Sequence, residues 1–248
     1  KTAYEIVSRD WSSDVCSSDL KNQIEEVGFQ DQARGGARQS PSRSQLRGSE
    51  MKICVAGQGA FGQKHLDALK RIPGVEVTSL VGGNQDSTAQ VAKKYGIPHF
   101  TGDLSEGIKR ADAVILTTPT KMHFRQGEQV MRAGKHVLVE IPVTDSVEDA
   151  ENLVKIAKET GVTAMGGHVR RFNPSHQYVH KKIKAGELSI QQMDVQTYFF
   201  RRKNINAAGN ARSWTDHLLW HHAAHTIDLF RSEEHTSELQ SRETISYA

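Results

Sequence analysis

The sequence predicts an α/β protein, with a doubly wound parallel sheet followed by the first part of a second, α+β domain. Three observations carry this expectation. Short apolar runs alternate with helical periods from Met51 to Met165, a glycine-spaced turn joins the first run to the first helix, and a different texture begins near His168. Strands separated by helices of this length pair in parallel, because each crossover returns the chain to the same end of the sheet.

Lys52–Ala56 reads as a buried strand, followed by a turn and a helix through Leu66, Leu69 and Ile72 that Pro73-Gly74 ends. Val75–Val81 is the second strand and Thr88–Tyr95 the second helix. Ala113–Leu116, an Ala-Val-Ile-Leu run, has no polar alternation and therefore lies inside the sheet. His123–Ala133 is helical, His136–Glu140 returns as a strand, and a helix from Ser146 to Glu159 follows. Asp145 or Ser146 serves as its N-cap, with Glu148 and Asp149 placed for a capping box. Thr163–Met165 closes the sheet. Beyond it come a helix bearing His176, His180 and Lys181, an alternating strand over Ile190–Arg202, and one helix over Trp214–Asp228.

Both ends differ from this pattern. Residues 1–50 are rich in Ser, Gln and Arg and carry no sustained period, and residues after Phe230 return to a Ser- and Glu-rich texture. The segment 10–20 and the tail 231–248 resemble translations of one DNA-sequencing adapter read in opposite directions. The expectation is a non-native leader over 1–50, a nucleotide-binding domain over 51–168, a partial substrate domain over 169–230 and a non-native tail over 231–248. The folded part would then be a truncated fragment, inactive or poorly soluble by itself.

Composition limits the function classes. The 248 residues hold 32 Lys+Arg and 29 Asp+Glu, a net charge of +3, with 37% hydrophobic residues. No apolar run is long enough to cross a bilayer, and no Lys/Arg stripe marks a nucleic-acid binder. Two cysteines, Cys16 and Cys54, make no disulfide scaffold, and Cys54 reads as a small core residue. The N-terminus lacks a signal-peptide pattern, so the expected location is the cytoplasm. Residues 51–230 alone carry +6, which suits anionic ligands.

Gly57-Gln58-Gly59-Ala60-Phe61-Gly62 has the G-x-G-x-x-G spacing between a strand and a helix. Gly57 permits the tight turn, Gly59 lets the backbone approach a pyrophosphate, and Gly62 lets helix and strand pack closely. Free N–H groups and the helix dipole then favour phosphate at that helix N-terminus. This is the dinucleotide-binding, Rossmann form of the α/β sheet. The second strand ends Gly82-Gly83-Asn84 with no acid before Asp86, so nothing there repels a 2′-phosphate. The reading inclines to NADP, with NAD open, because no Arg supplies a positive phosphate contact.

In the last helix His217, His221 and His225 fall at i, i+4 and i+8, with Asp228 one turn beyond His225. Such a face suits general acid/base catalysis, or a zinc site built from a His pair and a carboxylate. Acid/base work is favoured, because a dinucleotide fold needs a proton acceptor rather than a metal. Arg170/Arg171 and Arg201/Arg202 suit an anionic substrate, since a guanidinium grips a carboxylate with two parallel bonds. Only one of Arg201 and Arg202 can face a site if both lie on one strand.

Gly57–Gly62, Thr118-Pro119-Thr120 with His123, Glu140-Ile141-Pro142 and His225-Thr226-Ile227-Asp228 together resemble the Gfo/Idh/MocA oxidoreductases. The runs Arg171–Gln177, Gln191–Arg202 and Arg212–Asp228 resemble a branch that oxidises a cyclic hemiacetal bearing carboxylates. The resemblance implies cofactor contacts at Gly57, Gly59, Ala60, Phe61, Gly62, Gly83, Asn84, Thr118, Pro119, Thr120, His123, Glu140 and Pro142. It implies a catalytic His225 oriented by Asp228, with His221 or His222 sharing the proton transfer. His168, Arg170, Arg171, Asn173, Arg201, Arg202 and Trp214 would face a small dicarboxylated substrate. No metal is implied, and a full-length protein would be a homo-oligomer, a dimer. Two positions depart from the wider family: Ile141 stands where a Lys is usual, and His221 where an acid is usual. Both push proton transfer onto histidine.

Overall fold

The computed structural model describes residues 51–195, 205, 211 and 223–233, with side chains through 230. Two compact units divide after Val169. The first contains β1 (Met51–Ala56), α1 (Ala60–Leu69), β2 (Val75–Val81), α2 (Gln85–Tyr95), β3 (Phe100–Thr101), α3 (Leu104–Lys109), β4 (Ala113–Leu116), α4 (Thr120–Arg132), β5 (His136–Val139), α5 (Val147–Thr160) and β6 (Ala164–Gly166). The six strands form one sheet in the order β3-β2-β1-β4-β5-β6, and every pairing is parallel. The order reverses between β1 and β4, the place where doubly wound sheets open a crevice at the carboxyl ends of their strands.

The period-two alternation of β1 explains why helices cover both faces. Ile53 and Val55 enter one apolar cluster with Leu66, Ala68 and Leu69 of α1 and Ala92 of α2. Cys54 and Ala56 point the other way, into a cluster with Leu104 and Ile108 of α3, Val130 and Met131 of α4, and Leu153 and Ile156 of α5. Both faces are therefore dry, which is why the strands read as continuous apolar runs. Burial pushes the Cys54 thiol up to about 12, against a smaller opposing hydrogen bond from Ser79.

Helix starts follow short polar side chains. Asn84 accepts from Ser87 N at 2.9 Å, so α2 begins three residues before the expected Thr88. Ser146 accepts from Asp149 N at 3.1 Å, which selects it over Asp145 as the cap of α5. Gly96 and Gly161 end α2 and α5 with φ of +68° and +69°, a left-handed turn that costs glycine nothing. β3 and α3 were not expected from the sequence: a two-residue strand and a six-residue helix are too short to display a period. Ile72, expected within α1, lies after the helix ends but remains buried at 7% exposure.

The second unit contains α6 (Pro174–Lys184) and α7 (Ala223–Glu233). Helix α7 runs three residues past Phe230, where the sequence changes texture. The expected strand over 190–202 requires correction. Residues 190–195 lie in no strand, and the remainder falls outside the described residues. Alternation yields a strand only when a neighbouring strand pairs with it, and none pairs with 190–195 among the described residues. Residues 214–222 of the expected last helix also lie outside them, as do Arg201, Arg202, Trp214, His217, His221 and His222.

Candidate functional site

The glycine turn has the shape that its spacing predicted. Gly57 sits at φ +116°, and a Cβ there would lie 2.3 Å from Thr117 Oγ1. A Cβ on Gly62 would lie 1.7 Å from Gly57 O, so α1 can start this close to β1 only with glycine at that position. A Cβ on Gly59 would meet nothing within 4 Å, which leaves the helix entrance open to a ligand. Gly59 is the N-cap of α1, with no side-chain cap and no acid in the first turn. By contrast, Asn84, Asp103, Ser146 and Asn173 each cap a helix with a side-chain oxygen. The entrance of α1 thus keeps its donors for an anion, and the turn fits the pyrophosphate of a dinucleotide. Ala60 and Phe61 are exposed at this entrance.

Thr117, which follows β4, braces the turn. Its hydroxyl lies 3.0 Å from Ala56 O and 3.1 Å from Gly57 O. On the β2 side, Gln58 Nε2 donates to Ser87 Oγ at 3.1 Å, and a Cβ on Gly82 would strike both Thr88 Oγ1 and Gln58 Oε1. A side chain at Gly82 would therefore displace Thr88 and Gln58, whereas the predicted contact Gly83 borders open space. Asn84 spends its Oδ1 on capping α2.

On the other side of the order reversal, Thr118 Oγ1 donates to Gln126 Oε1 at 2.5 Å, and Pro119 and Thr120 open α4. His123 is 1% exposed, with Nε2 2.7 Å from Thr118 O and Nδ1 2.9 Å from Pro142 O. Its ring links the loop after β4 to the loop after β5, so it shapes the crevice from behind rather than at its surface. Glu140 directly follows β5 and precedes a cis Ile141–Pro142 bond. Its Oε1 accepts from His65 Nε2 at 2.6 Å, and its Oε2 accepts from Ile141 N at 3.3 Å. His65 was missed by sequence reasoning. A signal existed, since His65 is a polar residue beside Leu66 on the face of α1 that carries Leu69.

His168 follows β6 and is half-buried, its ring 3.2 Å from where a Cβ on Gly166 would stand. In the second unit, Arg171 grips Asp228. Nε donates to Oδ2 at 2.6 Å and Nη2 to Oδ1. Asp228 is 8% exposed and His225 9%, one turn apart on α7. Arg170 is half-buried, and burial lowers its guanidinium from the ordinary range. Asn173 Oδ1 caps α6 by accepting from Ser175 N at 3.0 Å. The substrate contacts expected of Arg171 and Asn173 therefore compete with structural bonds already made. No group of three or more metal-capable side chains converges among the described residues.

Comparison with known proteins agrees with this fold. Residues 51–168 match the family model described as the oxidoreductase family, NAD-binding Rossmann fold, and residues 174–245 match bacterial oxidoreductases, C-terminal. The chain is 64% identical over 182 residues to a 4-carboxy-2-hydroxymuconate-6-semialdehyde dehydrogenase of Sphingobium sp., covering 73% of this chain and 58% of that protein. It is 32% identical over 145 residues to a scyllo-inositol 2-dehydrogenase (NAD(+)) of Bacillus subtilis, covering 56% and 42%. A solved scyllo-inositol dehydrogenase of Lactobacillus casei, with bound NAD(H) and scyllo-inositol, shares the fold with a TM-score of 0.53 at 23% identity, covering 56% and 42%. The chain spans about half the length of these relatives.

Proposed function

Because the chain belongs to the Gfo/Idh/MocA oxidoreductases, we propose that the whole protein oxidises the cyclic hemiacetal of 4-carboxy-2-hydroxymuconate-6-semialdehyde to 2-pyrone-4,6-dicarboxylate. The observation that carries this reading is the 64% identity to the Sphingobium dehydrogenase, which extends over 182 residues. The nicotinamide cofactor supplies a hydride acceptor when bound.

The chain's own residues do the rest. The bare entrance of α1 holds the diphosphate, and the loops after β4 and β5 border the other half of the crevice. His225 takes the hemiacetal hydroxyl proton while the C–H bond yields its hydride, which leaves the lactone carbonyl. Asp228, fixed by Arg171, orients the imidazole. His221 and His222 are further candidates for the proton, and His168, Arg170, Arg201, Arg202 and Trp214 for the substrate. Ile141 offers no proton, which leaves the transfer to histidine.

NADP is the preferred cofactor in this reading and NAD the weaker one. The end of β2 presents Gly83 and Asn84 rather than a carboxylate. The working protein is a cytoplasmic homodimer, with residues 51–168 as its nucleotide domain and the chain from 169 opening its substrate domain. A second reading, oxidation of a sugar or polyol, draws on the 32% identity to the inositol dehydrogenase. Following NADP+ reduction with the hemiacetal, scyllo-inositol and glucose in parallel separates the two. Turnover confined to the polyols would overturn the assignment.

A further inference from the structure

The buried pair between His65 and Glu140 joins elements that are not neighbours in the sheet. His65 lies on α1, which follows β1, and Glu140 directly follows β5, while β4 stands between those strands. The bond therefore crosses the order reversal, the line along which a doubly wound sheet divides into two mononucleotide halves. His65 is 3% exposed and Glu140 9%. His65 Nδ1 has no hydrogen-bond partner among the described residues, so its described side-chain bond is the one from Nε2. Glu140 Oε2 also accepts from Ile141 N, so the carboxylate is tied into the loop that it anchors.

We propose that His65 and Glu140 form a positioning pair that fixes the spacing between the diphosphate end and the nicotinamide end of the dinucleotide crevice. Each partner is anchored to one half. Helix α1 carries the open entrance at Gly59 and is held independently in the core by Leu66, Ala68 and Leu69. The loop Glu140–Pro142 is held at its start by Glu140 N donating to Leu116 O at 3.0 Å, and beyond it by the pair and by His123 on Pro142 O. Breaking the pair should leave α1 seated and the backbone of the loop attached, while the Glu140 side chain loses its tie to α1. The inference rests on the dinucleotide reading and concerns a contact inside the protein, not one with the cofactor.

The test is calorimetric titration of the full chain with NAD+, NADP+ and ADP-ribose, the last lacking nicotinamide. His65→Leu removes the donor and keeps an apolar-compatible shape. His65→Gln keeps an amide donor near the position of Nε2. The expected result for His65→Leu is about tenfold weaker binding of the two dinucleotides, with ADP-ribose changed less than about twofold. His65→Gln should restore most of the loss. Equal weakening of all three ligands, or no weakening, would overturn the pair as a spacing device. Failure of the unsubstituted chain to bind ADP-ribose would instead overturn the dinucleotide reading and the proposal with it. Should His65→Leu not fold, the same comparison on His65→Met decides: weakening confined to the dinucleotides supports the device, and uniform weakening or none sinks it.

Discussion

Arg171 closes its guanidinium fork on both carboxylate oxygens of Asp228, across 57 residues of chain and one turn from His225. Asp228 is almost wholly buried, while the Arg171 side chain is 49% exposed. A carboxylate withdrawn from water needs a compensating partner, and this pair supplies one from the exposed side. The same bond ties the turn before α6 to α7, which carries His225.

Arg171→Met should therefore destabilise the second unit by about 1–3 kcal/mol, since it takes both bonds of this fork from a buried carboxylate while part of the lost attraction is already screened by water. Arg171→Lys should recover only part of this, because an ammonium cannot form two parallel bonds. Denaturant midpoints of the three proteins check the order. Equal stability of all three would remove the pair from the account of this unit.

Two glycines of one turn should fail in different ways. Gly62→Ala places a methyl group against Gly57 O and should cost about 2 kcal/mol or more of stability, measured by thermal unfolding. Gly59→Ala meets nothing in the protein, so stability should change by less than about 1 kcal/mol while dinucleotide affinity falls. Retained affinity in Gly59→Ala would move the pyrophosphate away from this helix entrance.

Asn84→Asp should keep the cap of α2, because the two residues cap helices about equally well. The added carboxylate repels a 2′-phosphate and can accept from a 2′-hydroxyl. The ratio of NADP+ to NAD+ affinity should fall by about tenfold. A ratio that does not move in fluorescence titrations would place the 2′ position elsewhere.

The Cys54 thiol, pushed up to about 12, should resist alkylation in the native protein at pH 8.5. Only about one thiol in three thousand is ionised at that pH, and the side chain is buried as well. Peptide mapping after iodoacetamide treatment should find Cys54 modified only after unfolding. The folded state holds this proton more tightly than the unfolded chain. Its contribution to stability is thus complete below about pH 9 and is lost as pH rises toward 12. Unfolding midpoints that fall more steeply across that window in the unsubstituted chain than in Cys54→Ala would isolate the effect.

Much of the first unit was legible in the sequence, because its signals are local. Apolar runs in β1, β4 and β5 announce strands buried on both faces. Asp145-Ser146 announces the start of α5, and the glycine spacing announces the turn. Each of these depends on backbone sterics within a few residues. The spacing even separated the tight turn at Gly57 from the close helix–strand packing at Gly62. The second unit yielded less. An alternating run at 190–195 needs a partner strand, and partners are chosen at long range.

The sequence alone thus determined five of the six strands, the glycine turn and the family's motif residues, since periodicity and turn sterics act between near neighbours. Tertiary structure decided what those residues touch. It put Glu140 on His65, His123 between two carbonyls, and Arg171 on Asp228. These bonds join residues 19 to 75 positions apart, apart from the short reach from His123 to Thr118. Only the order of strands in the sheet and the packing of helices on its faces bring such residues together, and neither is written in any local period.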